Sequence, residues 1–284
     1  MNKYIIITES GADLLPSMIN EHEIQALPMH VAIGDDDFYE GAVSIDEICN
    51  YYEKTGDVPK TASVSPHDYK RAYEKIAAEN PDAIIIHIAY SKKLSGSFQN
   101  SIIADEGLIR SYHIDSKNVT IGQSFTIMKA IRLIETHPEI SPDELVERIK
   151  EYADLVKFLF VPGNLAFLRA GGRVSNAQYL GASILNLKPL IEVIDGEMLS
   201  KKKYRGSMKS VVIQMITDFL TKFDIDKSEI YLIHACDLDE DIKAAVESTL
   251  VELGVKDFLW HKAGGVITSH SGPGGIGIAG IKNK

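Results

Sequence analysis

Cysteine is scarce in this chain: Cys49 and Cys236 are the only two in 284 residues. Their separation matches no zinc or C-x-x-C spacing, which argues against a metal or dithiol centre and fits a reducing cytoplasm. Positive charge is also short, with 30 Lys and Arg against 40 Asp and Glu, a net charge of −10. Such a surface repels polyphosphate and anionic lipid, which speaks against a general nucleic-acid binder. No apolar run approaches the roughly 20 residues of a membrane span. The opening stretch, Met1 to Glu9, has too few apolar residues for a signal peptide and reads as a strand, so a cytoplasmic protein is expected. There is no Walker A loop and no G-x-S-x-G elbow. The nine histidines form no H-E-x-x-H spacing, and no metal site is predicted. One G-x-G-x-x-G does occur, from Gly272 to Gly277, but the few residues after it cannot build the βαβ unit that a dinucleotide needs.

What is present is ordinary globular material, 45% hydrophobic and 25% charged, enough for one large or two medium domains. Apolar runs such as Tyr4–Thr8 and Ala83–Ala89 alternate with helical periodicity up to about Leu155, which predicts a doubly wound parallel sheet. Ile24–Ile33 reads as extended, with Pro28 favouring an edge. Ser44 and Glu47 form a capping box, and Lys117–Ile121 reads as a further strand. The pattern changes after Lys157. Strands Phe158–Val161 and Pro189–Ile194 flank a short helix, Asn164–Arg169, and a mostly apolar one, Ser175–Leu187. Asp195-Gly196 is a hairpin signal before Glu197–Leu199. The fold class is therefore α/β in two domains. Residues 1–157 form a Rossmann-like parallel sheet with flanking helices, and residues 158–284 an α/β domain with a mixed sheet.

Chemistry concentrates after the Ala83–Ala89 strand, in Tyr90-Ser91-Lys92-Lys93-Leu94-Ser95-Gly96-Ser97-Phe98-Gln99. A strand, a polar loop and a helix start are the parts of a site at the carboxyl edge of an α/β sheet. Ser95 stands where an N-cap would, and Gly96 lets the backbone approach a ligand. The hydroxyls of Ser95 and Ser97 with the free N–H groups of the first turn suit a small carboxylate or phosphate. Simple helix capping by Ser95 is the competing account. The hydroxyl-rich Lys60-Thr61-Ala62-Ser63-Val64-Ser65-Pro66 and the tail His270-Ser271-Gly272-Pro273-Gly274 add donors. A basic cluster, Lys201 to Arg205, interrupts an acidic chain.

Taken together these stretches resemble the DegV family of bacterial fatty-acid-binding proteins. The resemblance spans nearly the whole chain through five short segments in order. These are Lys60–Pro66, Ser95–Gln99, Leu168–Ser175, Leu187–Gly196 and His270–Gly274. Two positions depart: Glu9-Ser10 replaces the usual Asp-Ser, and Ala62-Ser63-Val64 the usual Ser-Gln-Pro, where Ser63 is expected to substitute. The resemblance implies a lipid-binding carrier rather than an enzyme. Its ligand would be a long-chain fatty acid such as palmitate, and it would need no cofactor. The carboxylate would be held by Thr61, Ser63, Ser95, Gly96, Ser97 and His270. Uncharged donors suffice for this, without a buried ion pair. The acyl chain would lie in a slot of the second domain near Leu180, Ile184 and Leu185. The partner would be a separate fatty acid kinase, met through Arg173 and Arg205, which phosphorylates the acid for phospholipid synthesis. Membrane contact would be transient. A phosphotransferase or carbonyl-substrate enzyme related to dihydroxyacetone kinase is the alternative.

Overall fold

The computed structural model describes residues 3–174 and 187–283. The chain opens with β1 (Lys3–Glu9), α1 (Pro16–Glu21), β2 (Gln25–Leu27), β3 (His30–Ile33) and β4 (Asp36–Tyr39). It continues through α2 (Ile45–Thr55), β5 (Lys60–Ala62), α3 (Pro66–Glu79), β6 (Ala83–Ala89) and α4 (Ser97–Ala104). Next are β7 (Ser111–Asp115), α5 (Thr120–Thr136), α6 (Pro142–Leu155), β8 (Val156–Val161) and α7 (Leu165–Gly171). The remainder is β9 (Leu187–Ile194), β10 (Glu197–Arg205), α8 (Met208–Lys222), β11 (Ile230–His234), α9 (Glu240–Glu252), β12 (Phe258–Lys262), α10 (Gly265–Ser271) and β13 (Ile276–Ile281).

A parallel sheet in the order β2-β1-β6-β7 occupies the first half. Its central strand β6 is buried along its whole length, as a strand covered on both faces must be. The second half builds a mixed sheet, β10-β9-β8-β13-β11-β12, in which only β11 and β12 run parallel. The two-sheet α/β class read from the sequence is therefore present. A third, three-stranded sheet, β4-β3-β5, was not anticipated. Pro28 explains it: the Ile24–Ile33 segment divides there, β2 staying on the parallel sheet and β3 leaving for the new one.

Helix α5 is buried on almost every side, and its Ile121, Phe125, Ile127, Met128 and Ile131 share one apolar cluster with Phe158, Ile191, Tyr231 and Ile233 of the mixed sheet. One core thus crosses position 157. A disulfide joins Cys49 of α2 to Cys236 after β11, a pairing the sequence spacing did not suggest.

Two readings need correction. Lys117–Ile121 is not a strand; β7 lies earlier, at Ser111–Asp115, and α5 starts at Thr120. Lys117 and Thr120 both take left-handed backbone angles, which end the extended chain that the apolar run suggested. The tail around His270, where the sequence pattern predicts no helix, carries the short helix α10 ahead of its proline-glycine turn. The expected helix over Ser175–Leu187, with Leu180, Ile184 and Leu185, falls almost entirely outside the described residues.

Candidate functional site

In the parallel sheet the chain leaves β1 towards β2 on one side and β6 towards β7 on the other. Their carboxyl ends, Glu9 and Ala89, therefore frame the crevice where ligands settle in open α/β sheets. The loop from Tyr90 to Gly96 rises from this point. Leu94 and Ser95 both donate their N–H groups to the Ser91 carbonyl, which tightens the loop. Ser95 is consequently not the N-cap. Helix α4 begins at Ser97 after Gly96, and Ser95 Oγ accepts the Ser97 N–H at 3.2 Å. The Ser95 and Ser97 hydroxyls are 3.0 Å apart, and Ser97 is fully buried behind Ser95.

Strand β5 brings Thr61 to the same place, paired opposite Val31. Thr61 Oγ1 lies 2.8 Å from His270 Nε2, a contact between residues 209 apart in sequence. Gly171 makes room for that histidine, since a β-carbon there would stand 2.2 Å from His270 Nδ1. Gly172 follows with φ +64°, closing α7 in a left-handed turn that favours glycine. Asn100 of α4 holds Ser63, donating to its Oγ at 3.1 Å and to the Val64 carbonyl at 2.8 Å.

The result is a cavity of about 230 Å³ walled by Thr61, Ser63, Ser95, Gly96, Arg173 and His270, with Met29, Tyr90, Leu94 and Met198. Arg173 donates to the Gly171 carbonyl at 2.6 Å and to Leu94 O at 3.4 Å, spanning the two halves. Burial, and secondly the charge of Arg173, depress His270 to about 4. The imidazole is thus neutral at physiological pH, able to donate from one nitrogen and accept at the other. The donor set is not wholly uncharged, as the sequence suggested: a guanidinium stands beside it.

Past His270 lies a narrow apolar slot of about 40 Å³, enclosed by residues of both halves that include Val119, Phe158, Phe160, Leu168, Met198 and Ile233. On the other side Thr61, Arg173 and His270 face an open polar cleft of about 730 Å³ with Tyr51, Asp57 and Lys60. Arg205 is not part of this assembly. It is exposed at the far end of β10, seven residues or about 23 Å along the strand from Met198.

Three acids, Glu9 and Asp13 buried and Glu40 part-buried, support the site, and sequence reasoning passed over them as site residues. Asp13 accepts the Gly264 N–H at 2.7 Å and the Thr120 hydroxyl at 2.5 Å. Glu40 accepts the Val266 N–H at 2.7 Å and the Ser10 hydroxyl. Both therefore grip the first turn of α10, the helix that bears His270. Burial raises both groups, Asp13 strongly, with the neighbouring Glu40 charge pushing it further. Glu9 behaves oppositely. Burial would raise it, but the charge of His87 and hydrogen bonds from His87, Tyr69 and Tyr90 outweigh that and hold it low.

The family model described as "Uncharacterised protein, DegV family" matches residues 3–283. The chain belongs to the DegV family. The DegV domain-containing protein CPE1310 of Clostridium perfringens is 32% identical over 278 residues, covering 96% of each chain. The fold is that of solved DegV structures. A fatty-acid-binding DegV family protein from Thermus thermophilus superposes with a TM-score of 0.87 at 23% identity, covering 99% of this chain and all of that one. The Streptococcus pneumoniae Fatty Acid Kinase B3 protein, loaded with linoleic acid, gives 0.84 at 22% identity over 99% of this chain and all of that one.

Proposed function

We propose that this DegV protein is a carrier that binds a long-chain fatty acid by its carboxylate and presents it to a separate kinase subunit. The observation that carries this reading is the Thr61–His270 pair, which stands with Ser95 and Arg173 where a polar cavity meets an apolar slot. A carboxylate there gains hydrogen bonds from the Thr61 and Ser95 hydroxyls and the field of Arg173. Ser63 and Gly96 shape the wall, and buried Ser97 backs Ser95. Neutral His270 steadies Thr61 without adding a second charge. The fatty-acid-binding relative from Thermus thermophilus supports the ligand class. The acyl tail follows the slot between the two halves, and must part Phe158, Phe160 and Ile267 to fit, because a volume of about 40 Å³ holds only a few waters.

The open cleft on the far side of Thr61 and His270 leaves the head group reachable, which suits phosphorylation by a partner in the synthesis of phospholipid. The kinase name of the linoleic-acid-bound protein supports the same reading. Arg173 beside the cleft and exposed Arg205 form two separate contacts for that partner rather than one patch. Among the described residues no helix is long and apolar enough to cross a membrane.

Mass spectrometry of a solvent extract of the purified protein tests the ligand, with a fatty acid at near one equivalent expected. An extract without lipid, together with no binding of added palmitate, would sink the carrier reading. For the partner, Arg173→Glu and Arg205→Glu are expected to lower kinase-dependent acyl phosphate while exposed Arg205→Glu leaves co-purified lipid unchanged.

A further inference from the structure

The polar cavity and the apolar slot share four wall residues, Tyr90, Arg173, Met198 and His270, which stand where one opens into the other. His270 is engaged with Thr61, and Arg173 with the Gly171 and Leu94 carbonyls. Met198 offers only a weakly accepting thioether. Tyr90 is different. The residue is only 5% exposed, yet among the described residues its hydroxyl makes no hydrogen bond. Only its N–H does, donating to Glu9 Oε2 at 2.8 Å. Nor is the hydroxyl sealed into the packing, as the unpartnered Tyr73 Oη is. It therefore opens on the two cavities that the residue walls.

The side chain is held in this position from two sides. The bond to Glu9 fixes its backbone, and the ring lies against Gly11. A β-carbon on Gly11 would stand 3.2 Å from Tyr90 Cε2 and 3.5 Å from Cδ2, so the ring fills room that only glycine leaves. Burial, then the charge of Asp13, raise the phenol above its ordinary value, and it meets a ligand as a neutral hydroxyl. Such a hydroxyl is penalised when a ligand covers it without offering a partner, and the penalty disappears when an oxygen arrives. A fatty acid with its carboxylate at Thr61 and Ser95 and its tail in the slot passes its first carbons beside Tyr90. In a plain acid these are methylenes, which offer the phenol nothing.

We propose that Tyr90 is a specificity-determining residue, and that the preferred cargo is a fatty acid bearing a hydroxyl on C2 or C3. This rests on the reading that the carboxylate lies at Thr61 and Ser95. The phenol pairs with the ligand hydroxyl, while the Thr61 and Ser95 hydroxyls and Arg173 keep the carboxylate. Deeper in the slot Phe158, Phe160 and Ile233 offer no partner, so a hydroxyl farther along the chain is disfavoured. Selection is thus by position along the chain.

Titration calorimetry of the delipidated protein at neutral pH tests this with dodecanoate and its 2-hydroxy, 3-hydroxy and 12-hydroxy derivatives. The parent should bind the 2-hydroxy or the 3-hydroxy acid about tenfold more tightly than dodecanoate. It should bind the 12-hydroxy acid more weakly than dodecanoate. Tyr90→Phe leaves no protein group unpaired and should fold as the parent does. In this variant the preference should vanish through weaker binding of the favoured hydroxy acid, with dodecanoate bound as well as before or better. A parent that binds dodecanoate without preferring either hydroxy acid overturns the selection and leaves the carrier reading intact. A preference that survives Tyr90→Phe also overturns it. Equal weakening of dodecanoate and the hydroxy acids in Tyr90→Phe would make the phenol a carboxylate ligand instead, and overturns it too. Failure of the parent to bind any of the acids sinks the carrier reading, and the selection with it.

Discussion

Glu9 and Asp13 are buried carboxylates four residues apart, yet their surroundings push them in opposite directions. Glu9 meets His87, the Tyr69 hydroxyl, the Tyr90 N–H and the Gln123 amide, and is held low. Asp13 meets two donors but shares its space with the Glu40 carboxyl, and is raised well above its ordinary value. Burial is common to both, so it does not decide the charge. The sign of the nearest ionisable neighbour does. The difference also separates their tasks, Glu9 tying β6, α3 and α5 to the end of β1 and Asp13 with Glu40 clasping the helix that presents His270.

The comparison breaks most visibly at Glu9. Glu9→Gln turns an amide group towards the several donors that the carboxylate accepts from, and should cost about 3 kcal/mol or more, measured by urea unfolding. Next in size is the clasp. Glu40→Ala strands the Val266 N–H and the Ser10 hydroxyl, with an expected loss of about 1–3 kcal/mol and a weaker hold on fatty acid through displaced His270. Normal affinity in a folded Glu40→Ala protein would separate the clasp from the site. Gly171→Ala moves His270 from the opposite side without touching either acid, since the new methyl would meet Nδ1. Losing the ordered Thr61 donor to an ionised head group should weaken binding by about 1.5–3 kcal/mol, or roughly tenfold to a hundredfold. Titration calorimetry against the parent protein would read that loss.

The smallest effect is on the pH dependence of stability, where the two acids should leave opposite slopes. For Glu9 the folded value lies below the unfolded one, so its stabilisation is complete above the ordinary carboxyl range and drains away as pH falls through the lower folded value. For Asp13 and Glu40 the folded values lie higher, so between unfolded and folded values the native state holds more protons. Stability therefore falls as pH rises from about 4 through that window and levels off above it. Asp13→Asn should flatten the descending limb in a series of thermal melts, and leave the acid limb intact. A descending limb that survives in this variant would place its origin elsewhere.

Much of this was legible in local patterns. The capping box at Ser44 and Glu47 is present with both of its hydrogen bonds, and the hairpin after Asp195-Gly196 pairs β9 with β10. Residues Thr61, Ser63, Ser95, Gly96 and His270, chosen through the family resemblance, meet around one cavity. What stayed hidden depends on distance along the chain. Asp13 reaches Gly264 and Glu40 reaches Val266 across more than 200 residues, and nothing near either acid announces such a partner. Helix α10 was obscured by its own composition, because two glycines open it and another closes it, which local rules read as a turn. Arg205 shared a basic run with its neighbours in sequence but lies exposed at the end of a strand and lines none of the cavities described.

The late place of α10 and β13 in the element order has a consequence for synthesis. Strand β13 occupies the middle of the mixed sheet, between β8 and β11, and α10 delivers His270 to Thr61 from the preceding turn. A growing chain can fold its parallel sheet early, since domains form from the amino end as they emerge. The cavity walled by Thr61 and Ser95, however, gains its histidine only with α10. Until β13 is in place, β8 and β11 each present an open edge to whatever strand comes near. A chain truncated before Ile276 is therefore expected to associate through these edges even though its parallel sheet can form.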